Sequence, residues 1–190
     1  MQRDADATKQ RLIAAGRGEF AAHGLTGARV DRIAAAAQSN KAQIYHYFKS
    51  KAGLFDAVWD DLCGQIIDGL PNEPHDLPGL AVMLSDAYAE HPELPRLITW
   101  QRLERGSDPP HELSMKDLAR RIAAIREAQD EGVVPTHYDA GVLFGLMLHV
   151  AAFWEFSSPD VLRSMAVGDR DVRREIVRSV AAALLDGGHS

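Results

Sequence analysis

The apolar residues of this chain return at three- and four-residue intervals along nearly its whole length, and no stretch sustains the two-residue alternation of a half-buried strand. No Asn-Gly or Asp-Gly pair sits between two alternating segments. The periodicity therefore predicts an all-α protein. At 190 residues with 46% hydrophobic content, the chain can bury one sizeable core, or a small domain beside a larger one.

A first helix from about Thr8 to His23 turns Leu12, Ile13, Phe20 and Ala21 inward and stops at Gly24. Gly16 and Gly18 each cost about 1 kcal/mol relative to alanine, so packing must hold this helix. A short helix from about Arg29 to Ala37, a polar break at Gln38-Ser39-Asn40 and a third short helix through Tyr47 make a helix-turn-helix candidate. Ser50 stands where an N-cap belongs, ahead of a long amphipathic helix carrying Leu54, Phe55, Val58, Leu62, Ile66 and Leu70. The prolines 71, 74 and 78 break that pattern. The expected division is a segment 1–53 (motif about 29–48), a connecting helix 54–70 and a segment 71–190. The last segment is expected to hold helices at about 80–90, 92–105, 112–131, 137–157 and 169–186, with a short one after Pro159.

Charge is distributed unevenly. Residues 1–53 hold nine bases against four acids, a net +5, which leaves −11 for the remainder of a chain whose total is −6. Such asymmetry marks one segment that meets a polyanion and another that does not. With Cys63 as the single cysteine there is no disulfide framework and no Cys-rich zinc site, and the polar first ten residues lack the apolar stretch of a signal peptide. A cytoplasmic location follows as the expectation, with no metal and no cofactor. The longest apolar run, Ala140 to Phe156, contains His149 and Glu155 and reads as a buried helix rather than a membrane span. His149 is expected to be a hydrogen-bonded core histidine.

The informative stretch is Ile33 to Phe55, IAAAAQSNKAQIYHYFKSKAGLF. It resembles the DNA-binding domain of the TetR family: Ile33-Ala34 in the second helix, Tyr45-His46-Tyr47-Phe48 closing the third, a lysine-containing turn, and Leu54-Phe55. Residues 8–70 fit that domain in length and order. The resemblance implies an N-terminal helix-turn-helix joined by a long helix to a C-terminal helical bundle that dimerises. It also implies a transcriptional regulator, a ligand-responsive repressor binding a palindromic operator in double-stranded DNA.

Physical chemistry supports the same residues. A helix this short reads the major groove only with small or hydrogen-bonding residues at its N-terminal end, and Asn40, Lys41, Ala42 and Gln43 meet that condition. Tyr45, His46 and Tyr47 suit phosphate or a thymine methyl, and Lys51 adds a charge at the start of the next helix. Ile33, Ile44, Phe48, Leu54 and Phe55 are expected in the core. The family pattern usually opens the second helix with Thr or Ser; here Ala28 is followed by Arg29, which is expected to make the phosphate contact instead. Gln38 occupies a turn position usually held by glycine and must accept that turn's dihedral.

In the C-terminal part, helix 137–157 is apolar nearly all round, and helix 169–186 carries the stripe Val172, Ile176, Val177, Val180, Ala181 and Leu184. The two are expected to pair with their two-fold copies in a homodimer, placing the recognition helices about 34 Å apart on a palindrome. Met83, Tyr88, Trp100, Leu103, Phe144, Met147 and Trp154 are candidates to line a cavity for a small-molecule effector of unknown identity. An enzyme finds little support: His111-Glu112 lacks the second histidine of a zinc-hydrolase helix, and no phosphate loop or nucleophile elbow is present. A helical interaction protein ranks above an enzyme but leaves the basic segment 1–53 unexplained.

Overall fold

A computed structural model of the chain describes residues 2–71, 76–106, 108 and 111–186. Eleven helices and no strand lie among the described residues: α1 (Gln2–Gly27), α2 (Val30–Ala36), α3 (Lys41–Phe48), α4 (Lys51–Gly69), α5 (Leu77–Glu90), α6 (Glu93–Arg105), α7 (Glu112–Asp130), α8 (Ala140–Ala151), α9 (Phe153–Phe156), α10 (Pro159–Met165) and α11 (Arg170–Ala183). The all-α expectation holds.

The chain divides into two compact units, residues 1–65 with 93–114, and residues 66–92 with 115–190. This differs from a division at residues 53 and 70. The reason is α6, which packs along α1 although a proline-bearing stretch and α5 separate it from the N-terminal helices.

The core of the first unit is built from Leu12, Phe20, Ile33, Ile44, Leu54, Phe55, Val58 and Leu62, all essentially without solvent access. Each such burial contributes about 1.5–3 kcal/mol before entropy is counted. Phe20 and Phe55 meet edge to face with centroids 5.2 Å apart. Gly16 lets α1 approach α4, because a Cβ there would lie 3.1 Å from Val58 Cγ2. This is the packing that offsets the glycine's low helix propensity. Gly24 leaves helical geometry at φ 66°, so α1 is interrupted where the glycine stop signal placed its end. Ser50 Oγ accepts from Gly53 N–H at 2.9 Å and caps α4 as expected.

In the second unit α5, α8 and α11 pack on one another around Leu77, Ala81, Leu143, Met147, Ala151, Val177 and Ala181. Aspartates start each of these helices: Asp76, Asp139 and Asp169 accept from the amides of Gly79, Gly141 and Asp171 at 2.7–2.8 Å. Asp139 therefore sets the beginning of α8 at Ala140, later than 137, and the helix expected to run to 157 is interrupted at Ala152. Its apolar surface is only partly covered: Val142, Leu146 and Phe153 are exposed, as are Val172, Ile176 and Val180 of α11. His149 is also exposed, with Nδ1 2.8 Å from Gly145 O, which corrects its expected burial.

Candidate nucleic-acid interface

The helix-turn-helix is held by a backbone device centred on Gln38. Its φ is +50°, a left-handed value that side-chain-bearing residues rarely adopt. That conformation lets Ser39 N–H donate to Ala34 O at 2.9 Å and Gln38 N–H donate to Ala35 O at 3.1 Å. These are the two bonds of a Schellman stop for α2, so the dihedral demanded of Gln38 is adopted. Asn40 Oδ1 then accepts from Gln43 N–H at 3.0 Å and starts α3. Asn40 is thus a capping residue, with its oxygen engaged before any base is approached.

α3 buries Ile44 and Phe48 on one side, which fixes what the other side presents. Lys41, Ala42, Tyr45 and His46 are exposed, with Gln43 and Tyr47 half-buried at the margins. The rings of His46 and Tyr47 meet edge to face at 5.0 Å. Lys41 Nζ lies 2.6 Å from Asp31 Oδ1 of α2. Arg29 is exposed immediately before α2, and its N–H donates to Glu19 Oε1 at 2.8 Å. Arg32 holds the same carboxylate through Nε at 2.9 Å and Nη2 at 2.6 Å. The bonds from Arg32, then the one from the Arg29 amide, keep Glu19 below its ordinary value despite burial, and so tie α1 to α2. Lys51 points inward: Nζ donates to Thr26 O at 3.2 Å and Ala28 O at 3.0 Å.

Beside α3 lies a concavity of about 430 Å³, lined by Gln38, Ser39, Asn40, Gln43 and Tyr47 together with Asp4, Thr8 and Arg11 of α1. Thr8 and Arg11 were not among the residues singled out from the sequence. Arg11 Nε donates to Ala37 O at 3.2 Å and Nη2 to Thr8 Oγ1 at 3.0 Å, which sets a cation against the negative end of α2. The signal for them was their place on the polar face of a helix whose Leu12 and Ile13 are core.

The seven residues offered for an effector fall in both units. Phe144, Met147 and Trp154 are buried in the core of the second unit, with Tyr88 packed against it. Met83 of α5 is exposed. Trp100 and Leu103 belong to the first unit, where Trp100 packs against Gly24 and Leu103 is 72% exposed. Among the described residues no cluster of His, Cys, Asp and Glu could hold a metal ion, and no helix is long and apolar enough to cross a membrane.

Residues 12–58 match the family described as bacterial regulatory proteins, tetR family, and residues 76–182 match the tetracyclin repressor-like C-terminal domain. The chain belongs to the TetR family. The HTH-type transcriptional repressor SCO4008 of Streptomyces coelicolor is 36% identical over 189 residues, covering 97% of this chain and 98% of that protein. The solved structure of SCO4942 from the same organism is 34% identical with a TM-score of 0.83, over 93% of this chain and 97% of that one. A TetR-family regulator from Marinobacter aquaeolei VT8 shares the fold, with a TM-score of 0.78 at 20% identity, over 97% of this chain and 98% of that one. The TetR helix-turn-helix makes this chain a DNA-binding transcriptional regulator, and TetR proteins of this kind typically act as dimers.

Proposed function

We propose that the chain is a cytoplasmic, non-enzymatic, ligand-responsive repressor that binds a palindromic operator as a homodimer. The carrying observation is α3, a helix anchored by Ile44 and Phe48 that presents Lys41, Ala42, Tyr45 and His46 to solvent within the one segment of net positive charge. Lys41, Ala42 and Gln43 read bases; Tyr45, His46, Tyr47 and Arg29 contact phosphate; Asn40 and Lys51 hold the geometry around them. The homodimer forms through the exposed apolar faces of α8 and α11, within the helices expected at 137–157 and 169–186.

The effector is a small apolar molecule that enters among Tyr88, Phe144, Met147 and Trp154 and shifts a two-state population of the dimer. This reading keeps to the core of the second unit; Met83 is exposed there, and Trp100 and Leu103 belong to the first unit. The test is fluorescence anisotropy of the full chain with DNA from upstream of its own gene, at two salt concentrations, with Gln43→Ala and Tyr45→Ala as controls. Saturable binding that Tyr45→Ala weakens and Gln43→Ala makes less selective is the expected result. Weak binding indifferent to sequence and to both substitutions, repeated in a random-sequence selection, would overturn the reading.

A further inference from the structure

The corner between α1 and α2 is gripped at both of its polar ends. After Gly24 the chain makes one more turn, closed by Ala28 N–H to Gly24 O at 3.2 Å. The amides that open this turn are taken by a carboxylate of α6. Leu25 N–H donates to Glu104 Oε2 at 2.6 Å, and Thr26 N–H donates to Oε2 at 3.2 Å and Oε1 at 3.3 Å. The carbonyls at the other end are those held by Lys51. One turn before Glu104, Trp100 Nε1 donates to Ala21 O at 3.3 Å, and its ring covers Gly24 so closely that a Cβ there would lie 2.7 Å from Cε3. The residue that follows this corner is Arg29.

We propose that Glu104 is a positioning residue for DNA binding: through Leu25 and Thr26 it sets the 24–28 turn, and with it the place of Arg29 and the start of α2. The proposal rests on the reading of Arg29 as a phosphate contact. A carboxylate suits the task, since its two oxygens accept from two adjacent N–H groups and the bonds are charge-assisted. A glutamine of the same length keeps one oxygen where Oε2 accepts from both amides, but it loses the charge and turns an NH₂ toward Thr26 N–H in place of Oε1, which weakens the grip. Glu104 stands 79 residues from Leu25, so this control over the DNA-facing corner comes from outside the N-terminal segment.

The experiment is a double-mutant cycle on the full chain, reading affinity for the upstream DNA at several salt concentrations, with Glu104→Gln, Arg29→Ala and the pair. Each single substitution is expected to weaken binding about tenfold and to make the salt dependence shallower. The pair is expected to stay near tenfold, because both remove the same contact, instead of the hundredfold of independent sites. Additive losses, or Glu104→Gln binding as the wild type does, would overturn the proposal. If Glu104→Gln does not fold, amide hydrogen exchange of the wild type decides: protection of Leu25 and Thr26 like that of a helix interior supports the clasp, and exchange at free-loop rates removes it. A wild type that binds no DNA overturns the regulator reading and this proposal with it, before any variant is compared.

Discussion

The ammonium of Lys41 lies 2.6 Å from the carboxylate of Asp31, joining the first residue of α3 to α2 across the turn, with both side chains more than half exposed. A pair so open to solvent contributes about 0–1 kcal/mol to stability, but it places a negative charge beside the helix proposed to meet DNA. Asp31→Asn should leave the melting temperature nearly unchanged and tighten DNA binding several-fold, with a steeper salt dependence. Anisotropy titrations at two salt concentrations check this. Unchanged affinity would mean that Lys41 lies away from the DNA.

Gln38 holds φ at +50° to complete the stop of α2, a conformation in which a side chain is strained and glycine is not. Gln38→Gly should stabilise the chain by about 0.5–1 kcal/mol, a rise in Tm of roughly 1–4 °C. Gln38→Val should destabilise it by a similar amount or more, since β-branching suits this region poorly. Thermal unfolding of the three proteins side by side tests the pair. A lower Tm for the glycine variant would mean that the Gln38 side chain makes a stabilising contact of its own.

What the sequence made legible is what depends on near neighbours. The stop at Gly24, the cap at Ser50 and the unusual dihedral at Gln38 each follow from one residue and its next few, and all three are present. The buried stripe of α3 is equally local, because Ile44 and Phe48 are four residues apart. The partners of Lys51 and Trp100 were not legible: a lysine beside a basic motif looks like a phosphate contact, and a tryptophan among apolar residues looks like a pocket wall. Only the fold shows that Lys51 closes on Thr26 and Ala28 and that Trp100 covers Gly24. The effector candidates are divided between two cores for the same reason, since side-chain size does not say which core a helix joins.

His111 stacks on Trp59 with centroids 5.0 Å apart, and its Nε2 is buried without a hydrogen-bond partner. Burial pushes the imidazole below its ordinary 6.5, against the opposing charges of Asp56 and Asp60. The unfolded chain therefore takes up a proton near pH 6.5 while the folded chain holds out to lower pH. Below 6.5 the unfolded state binds more protons, so this contribution to stability is complete above that pH and declines as the pH falls. His111→Phe keeps a stacked ring and cannot titrate. Urea unfolding across the acid side of pH 6.5 should show a shallower decline for the variant, and parallel curves would sink the assignment.

Exposed apolar side chains recur at four-residue intervals on both α8 and α11. In α11, Val172, Ile176 and Val180 follow one another at four-residue intervals and are exposed, whereas Val177 and Ala181 are buried in the core of the same unit. The helix thus carries two apolar faces, and Val142 and Leu146 of α8 are exposed at the same four-residue spacing. Ile176→Asp alters only the outer face. It should leave helix content and the folded unit intact while converting a dimer into a monomer at micromolar concentration, as read by sedimentation equilibrium. Operator binding should fall with it, because two half-sites held by one dimer bind far more tightly than either alone. Val177→Asp, one residue along, should instead unfold the unit, since it buries a charge with no partner. An Ile176→Asp protein that remains dimeric would place the interface elsewhere and leave the outer face of α11 without the role assigned to it.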